Sequence, residues 1–122
     1  MKGAIHRYID AYNAFDIDSM LEVLDPDIRF ENISAGKVNA KTSGKAEFEY
    51  LARQSALIFA HRKQKIRAIT VEGERAFAEI EFEGVLAKDL QNGLKAGEKI
   101  ALRGISEFVF KNGLISLIID RS

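Results

Sequence analysis

The stretch RYIDAYNAFDIDSMLEVLDPDIRFEN, residues 7–32, contains two helical patterns followed by the pattern of a strand. Asp16 lies between the helical patterns and predicts the N-cap of the second helix. Pro26 predicts the end of that helix, because the residue before a proline is disfavoured in helical geometry. The strand that follows carries an amide, Asn32, on the same face as two apolar residues, Ile28 and Phe30. The apolar positions at helical spacing are Ile5, Tyr8, Ile9 and Tyr12, then Ile17, Met20, Leu21 and Leu24.

The rest of the chain predicts a third helix and a meander of strands. The polar segment SAGKVNAKTSG, residues 34–44, predicts a loop with a short hairpin arm, and the third helix begins at its end and keeps an apolar face to Phe59. Gly104 predicts a bulge or a sharp bend inside a later strand. Helices followed by a meander predict one α+β domain over residues 1–122, with three N-terminal helices on one face of a strongly curved antiparallel sheet. From residue 62 the apolar period is two, and glycine-containing turns separate four predicted strands: 63–72, 75–88, 98–111 and 113–120.

The composition excludes several kinds of site and partner. The 122 residues include no cysteine and only two histidines, so disulfides and cysteine metal sites are excluded, and neither a metal nor a cofactor is expected. The 18 basic residues balance 18 acidic ones, so no net field favours nucleic acid or an anionic membrane. No apolar run approaches the roughly 20 residues of a membrane span, and we expect a cytoplasmic protein. The basic segment HRKQKIR, residues 61–67, is interpreted as a solvated strand face.

The order of these elements resembles the nuclear transport factor 2-like superfamily. Residues 7–32 resemble the opening of its ketosteroid isomerase and SnoaL-like polyketide cyclase branch, which has a tyrosine-bearing helix and then an N-x-x-D-x-D turn, found here at residues 13–18. The long third helix and the ending F-x-F-x-N-G-x-I, residues 108–115, extend the resemblance over nearly the whole chain. The resemblance implies a cone-shaped, cystatin-like α+β fold and one SnoaL-like domain over residues 1–122. It does not by itself imply one activity, because folds of this kind host many functions.

The resemblance places three site residues. In the isomerase branch, a tyrosine and a late-strand acid donate hydrogen bonds to a dienolate oxygen, while an aspartate moves the proton. Tyr8 matches the position of the tyrosine, Asn32 that of the aspartate, and Ser106 that of the late-strand acid. An amide cannot accept and return a proton at neutral pH, although it can orient a ligand. We therefore expect the isomerase mechanism to be absent. From the residues alone, Asn32 could equally end its strand at a turn, and Tyr8 could be an ordinary core tyrosine.

Other side chains could replace the missing base or line the cavity. His61 is the tentative alternative base, because its ordinary pKa of about 6.5 allows both acid and base roles, although a histidine at the end of a helix can simply be exposed. Glu31 and Asp120 could supply a carboxylate if they turned inward, but charged residues that alternate with apolar ones favour a solvated face. The residues expected to line a cavity between the helices and the sheet are Tyr12, Phe15, Met20, Phe30, Phe48, Phe59, Ser106 and Phe108.

Three functions follow from these expectations. The first is a binding module for an apolar or aromatic small molecule, which aromatic walls with a few polar groups would suit. The second is an isomerase, cyclase or dehydratase that acts on a cyclic ketone-like substrate with a non-standard base. The third is a structural module that forms a homodimer through the open face of its sheet, where apolar side chains would otherwise face water. The missing aspartate favours the first function over the second. The apolar residues of that face are Val85, Ala101, Ile105 and Val109.

Overall fold

The computed structural model describes residues 1–122 as three helices and six strands. The predicted order of helix, helix, strand, hairpin arm, helix and four further strands is confirmed. The helices are α1 (Lys2–Asn13), α2 (Ile17–Glu22) and α3 (Lys45–Ile58). The strands are β1 (Leu24–Ser34), β2 (Lys37–Ser43), β3 (Phe59–Glu72), β4 (Arg75–Leu86), β5 (Lys99–Lys111) and β6 (Leu114–Arg121).

All six strands belong to one curved, unclosed sheet in the order β2-β1-β6-β5-β4-β3. The predicted antiparallel meander is confirmed for β3 to β6, and β2 pairs antiparallel with β1 as the hairpin arm. The sheet is mixed rather than purely antiparallel, because β1 and β6 run parallel. This parallel pair places Asn32, near the end of the first strand, opposite Asp120, near the end of the last.

The boundaries of α2 follow local chemistry at one end and tertiary pairing at the other. Asp16 caps the helix as predicted, since its carboxylate accepts a hydrogen bond from the Ser19 backbone N–H at 3.1 Å. The helix ends at Glu22, earlier than Pro26 predicts, because Leu24 already pairs with β6. Pairing with a distant strand therefore decides where β1 begins.

The helices pack on one face of the sheet, which we call the inner face; the opposite face is the outer face. The core lies between the two layers, and Ile5 of α1, Phe108 of β5 and Ile118 of β6 are fully buried in it. None of the three helices is long and apolar enough to cross a lipid bilayer. The prediction of an α+β fold with helices on one face of a curved sheet is confirmed.

Gly104 marks a close approach of two strands rather than a bulge. The pairing of β4 with β5 continues without a shift through Gly104, which lies opposite Ile80. A Cβ atom at position 104 would lie 2.3 Å from the backbone oxygen of Arg121. The end of β6 can lie against β5 in this way only because position 104 has no side chain.

Candidate functional site

A cavity of about 330 Å³ lies between the helices and the inner face of the sheet. Its volume is typical of sites for small molecules, and 13 of its 23 lining residues are hydrophobic, so an apolar ligand fits it best. Residues from all three helices and from all six strands contribute to the lining. Eight of the residues that the sequence predicts for the site line this cavity: Tyr8, Tyr12, Met20, Phe30, Asn32, Phe48, Phe59 and Ser106.

Three of the predicted site residues do not line the cavity. His61 is exposed, because the pairing of β3 with β4 shifts between Phe59 and His61, and the neighbouring Arg62 faces the cavity in its place. The hypothesis that His61 supplies the base does not fit this position. Phe15 packs on the guanidinium of Arg62 at 4.4 Å from the ring centroid. Phe108 is fully buried against Tyr8, with ring centroids 6.1 Å apart, and belongs to the core.

The walls of the cavity are aromatic pairs in edge-to-face contact. Phe30 of β1 and Phe48 of α3 have ring centroids 5.7 Å apart, and Phe59 of β3 and Phe82 of β4 have centroids 5.4 Å apart. Gly84 makes the second pair possible, since a Cβ atom there would lie 2.8 Å from the ring of Phe59. The walls therefore hold their rings in fixed positions suited to a flat ligand.

Three polar side chains cross the inner face in one line, which we call the polar row: Asn32, Asp120 and Ser106. Asp120 lies in the middle, opposite Asn32 in the pairing of β1 with β6 and opposite Ser106 in the pairing of β5 with β6. The Ser106 hydroxyl donates a hydrogen bond to Asp120 Oδ1 at 2.6 Å. Asn32 Nδ2 donates to Asn39 Oδ1 at 2.7 Å, which leaves the other side of its amide free for a ligand.

Asp120 is the only acidic side chain that lines the cavity, and the mostly apolar surroundings disfavour its ionised form. Removal from water raises the pKa of Asp120 to about 6, although the hydrogen bond from Ser106 acts in the opposite direction. A carboxyl group with this pKa can both accept and return a proton near neutral pH. One carboxylate does not make a metal site, and no group of three His, Cys, Asp or Glu side chains lies close enough to hold an ion.

Asp120 was predicted to lie on a solvated strand face, but the period of β6 contains the signal for an inward position. Ile118 is fully buried, and Asp120, two residues later, must share its face. The same period puts Ser106 on the inner face with Phe108 of β5. Glu31 is adjacent to Asn32 and does not line the cavity, as alternation predicts.

Tyr8 presents a protonated hydroxyl to the cavity. Burial raises the pKa of Tyr8 well above its ordinary value, and the charge of Asp120 raises it further, while Arg62 lowers it. The hydroxyl makes no hydrogen bond to any protein group, although buried tyrosines usually find a partner. It is therefore available as a donor to a bound ligand.

Arg62 is buried inside the protein and lines the same cavity, so the interpretation of residues 61–67 as an entirely solvated face is wrong at this position. Its side chain is inward because the pairing of β3 with β4 shifts between Phe59 and His61, so that Arg62, rather than His61, shares the face of Phe59. The Nε atom donates to the Tyr12 backbone oxygen at 3.0 Å, and the guanidinium carbon lies 3.7 Å from the centroid of the Tyr12 ring. Burial lowers the pKa of Arg62.

Comparison with known proteins supports the fold and identifies a family profile. The profile described as SnoaL-like domain matches residues 5–118. A putative polyketide cyclase from Xanthomonas campestris pv. campestris is 22% identical, with a TM-score of 0.86 over 99% of this chain and 88% of that one. A putative polyketide cyclase from Silicibacter sp. TM1040 is 25% identical, with a TM-score of 0.77 over 98% and 85% of the two chains.

A third solved structure has a different named activity. AclR from Streptomyces galilaeus, a putative hydroxylase, is 17% identical and superimposes with a TM-score of 0.77 over 98% of this chain and 85% of its own. No protein with curated annotation matches the chain at a significant level. The shared architecture thus spans proteins named for different chemistries, and the residues of the cavity must decide between them.

Proposed function

This chain belongs to the SnoaL-like domain family, and from that membership we propose that its cavity binds an apolar or aromatic ketone and that Asp120 moves a proton on it. The observation that carries the proposal is one carboxylate with a pKa of about 6 in an otherwise apolar cavity. Perturbed acids of this kind are concentrated in active sites. Asp120 would then replace the base that is missing at Asn32.

The chemistry begins with proton abstraction beside the carbonyl group. The ionised Asp120 carboxylate removes a proton from the carbon next to the ketone, the C–H electron pair becomes a C=C bond, the π pair of the carbonyl group moves to its oxygen, and an enolate forms. The Tyr8 hydroxyl donates a hydrogen bond to the enolate oxygen, as in an oxyanion hole. The neutral Asp120 carboxyl group then returns the proton to carbon. Isomerases, cyclases and dehydratases can all begin with such an enolate.

The remaining residues of the polar row position the reacting groups. The Ser106 hydroxyl fixes the orientation of Asp120 through its 2.6 Å hydrogen bond. Asn32 offers an amide that can donate to or accept from the ligand, and its contact with Asn39 holds it at the wall. We assign Asn32 to ligand binding and no role in catalysis to His61.

Hydrogen–deuterium exchange on 1-tetralone tests this proposal. Proton NMR in D₂O would follow loss of the signal of the protons next to the carbonyl group. Asp120→Asn should slow the protein-dependent exchange about 100-fold or more, which is the lower range for loss of a general base. Asp10→Asn, which changes an exposed aspartate of α1, should leave the rate unchanged, as should His61→Ala.

The result also separates an enzyme from a binding module. If Asp120→Asn exchanges at the wild-type rate, Asp120 is not the base. If the wild-type protein binds 1-tetralone without any acceleration of exchange, the chain is better described as a binding module. The amide at Asn32, where related isomerases have their base, favours the binding module.

We propose in addition that two copies of the chain associate through the outer face of the sheet. The side chain of Ile105 is 46% exposed there, and Ala101 is exposed on the same strand. Buried between two copies, these side chains would be removed from water. The absence of nucleic-acid and membrane partners stays a proposal, supported by the balance of 18 basic and 18 acidic residues. A cytoplasmic location also stays a proposal.

A further inference from the structure

Arg62 is a buried cation without an anionic partner. Its relative exposure is 2%, and no carboxylate oxygen lies within 4.0 Å of its guanidinium. Buried charges in proteins are as a rule paired, because removal of an ion from water is costly. The other arginines that form ion pairs here, Arg53 among them, are much more exposed.

Only some of the N–H groups of the Arg62 guanidinium have hydrogen-bond acceptors in the protein. The Nε atom donates to the Tyr12 backbone oxygen, and the rings of Tyr12 and Phe15 lie over the guanidinium carbon at 3.7 and 4.4 Å. The Nη2 atom is buried and has no hydrogen-bond partner. Aromatic contacts stabilise the charge, but they do not accept the remaining N–H groups.

The one carboxylate of the cavity does not neutralise Arg62. Asp120 forms no ion pair with it, and the pKa of Asp120 is raised by burial and lowered only by the hydrogen bond from Ser106, not by the charge of Arg62. Both charges act on Tyr8 and on Tyr12, in opposite directions. The cavity therefore presents a cation and a carboxyl group to the same space without direct contact between them.

We infer that Arg62 binds an acidic group of the ligand, and specifically a carboxylate, through its unpartnered guanidinium edge. This inference rests on the proposed function, since it requires an occupied cavity, and it narrows the ligand to an aromatic or cyclic keto acid. The acid group pairs with Arg62, and the ketone lies at the polar row within reach of Tyr8 and Asp120. A guanidinium is suited to this task because its parallel N–H groups match the two oxygens of a carboxylate.

Two probes of similar shape and different charge test the inference. We would measure the dissociation constants of 2-naphthoic acid, which is ionised at pH 7, and of the neutral 2-acetonaphthone by titration calorimetry at that pH. The wild-type protein should bind the acid about tenfold or more tightly than the ketone, as expected for a charge-assisted hydrogen bond. Equal affinity, or a preference for the ketone, would overturn the inference.

Variants of Arg62 test whether this residue causes the preference for 2-naphthoic acid over 2-acetonaphthone. Arg62→Met keeps an unbranched stem without the charge and should abolish the preference for the acid, whereas Arg53→Met, on the exposed face of α3, should keep it. Arg62→Lys should restore part of the preference. A preference that survives Arg62→Met would assign the anion to another group. If Arg62→Met does not fold, the comparison of the two probes in the wild-type protein still decides.

The outcomes distinguish this inference from the proposed function. If neither probe binds, the occupied cavity and with it the anion site are both rejected. If both bind equally, only the role of Arg62 is rejected. Asp120→Asn should stop proton exchange on 1-tetralone yet retain the preference for 2-naphthoic acid, so a loss of catalysis alone leaves the anion site intact.

Discussion

Asp120 is charged at neutral pH, although its surroundings favour the neutral form. The free energy of unfolding should therefore depend on whether Asp120 is ionised. In the folded protein its pKa is about 6, against an ordinary value of 3.8. Between about pH 4 and pH 6 the folded protein therefore binds more protons than the unfolded chain, and stability should fall as the pH rises through this range. Above pH 6 the whole cost of the buried charge is present.

Asp120→Asn should remove this pH dependence. Because one pH unit of pKa shift corresponds to about 1.4 kcal/mol and Asp120 is partly exposed, the variant should gain about 1–2 kcal/mol at pH 8 and little at pH 4. Urea unfolding at both pH values measures the difference. Asp10→Asn should show no such change between the two pH values. A variant that is less stable than the wild type at pH 8 would contradict the assignment.

Tyr8 should contribute to ligand binding much more than to stability. Tyr8→Phe removes a hydroxyl without a protein partner and keeps the ring between Phe48 and Phe108. We expect the affinity for 2-acetonaphthone to fall about 3–10-fold, the value of one hydrogen bond, while the free energy of unfolding changes by less than about 0.5 kcal/mol. Tyr50→Phe is the control, since Tyr50 is 69% exposed on α3. Unchanged affinity in Tyr8→Phe would remove its hydroxyl from the site.

Single residues were predictable from sequence where their spacing was local or matched a family. Tyr8 and Asn32 were found in this way, because one chain segment carries both. Arg62 was not found, and Asp120 was named only as a carboxylate that could serve the site if it turned inward, since each is a charged residue in a strand and such residues normally face water. Asp120 faces inward because it shares a face with the buried Ile118, and Arg62 faces inward because the pairing of β3 with β4 shifts after Phe59. Both features depend on tertiary packing.

At the scale of strands, Gly104 controls how β6 lies on β5. Gly104→Ala would place a Cβ atom 2.3 Å from the Arg121 backbone oxygen, and a backbone atom cannot rotate away as a side chain can. We expect a loss of about 1–3 kcal/mol in the free energy of unfolding, as for other overpacked sites. The ends of the polar row should also move, with weaker binding of 2-acetonaphthone.

The control for this substitution is Gly3→Ala, since no atom lies within 4 Å of a Cβ at that position of α1. Alanine is a better helix former than glycine, so this variant should be as stable as the wild type or slightly more so. Chemical denaturation of both variants measures the contrast. Equal stability of Gly104→Ala and the wild type would show that β6 can shift at no cost.

The elements themselves were largely predictable, because amphipathic periods and turn residues are local signals. The predicted third helix and the four later strands all occur, with small differences at their ends. β3 begins at Phe59 rather than at residue 63, since its first residues pair with the end of β4. The parallel pairing of β1 with β6 joins distant parts of the chain and has no local signature.

At the scale of the whole molecule, the outer face of the sheet is the surface through which we propose that two copies of the chain form a dimer. Ile105 lies there between Glu79 and Arg121 of the neighbouring strands, and its exposed side chain is apolar. If a second copy covers this face, the wild-type protein at about 50 μM should sediment with twice the mass of one 13.6 kDa chain. A charge buried at such an interface without a partner is costly, so Ile105→Glu should sediment as a monomer.

A matched control comes from the other side of the molecule. Leu57 is 61% exposed on α3, away from the outer face, and Leu57→Glu should leave the dimer intact. The two variants add the same charge and remove a similar apolar side chain, so a difference between them reflects position alone. A wild-type monomer at 50 μM would reject the dimer. Equal dissociation in both variants would reject the outer face as its interface.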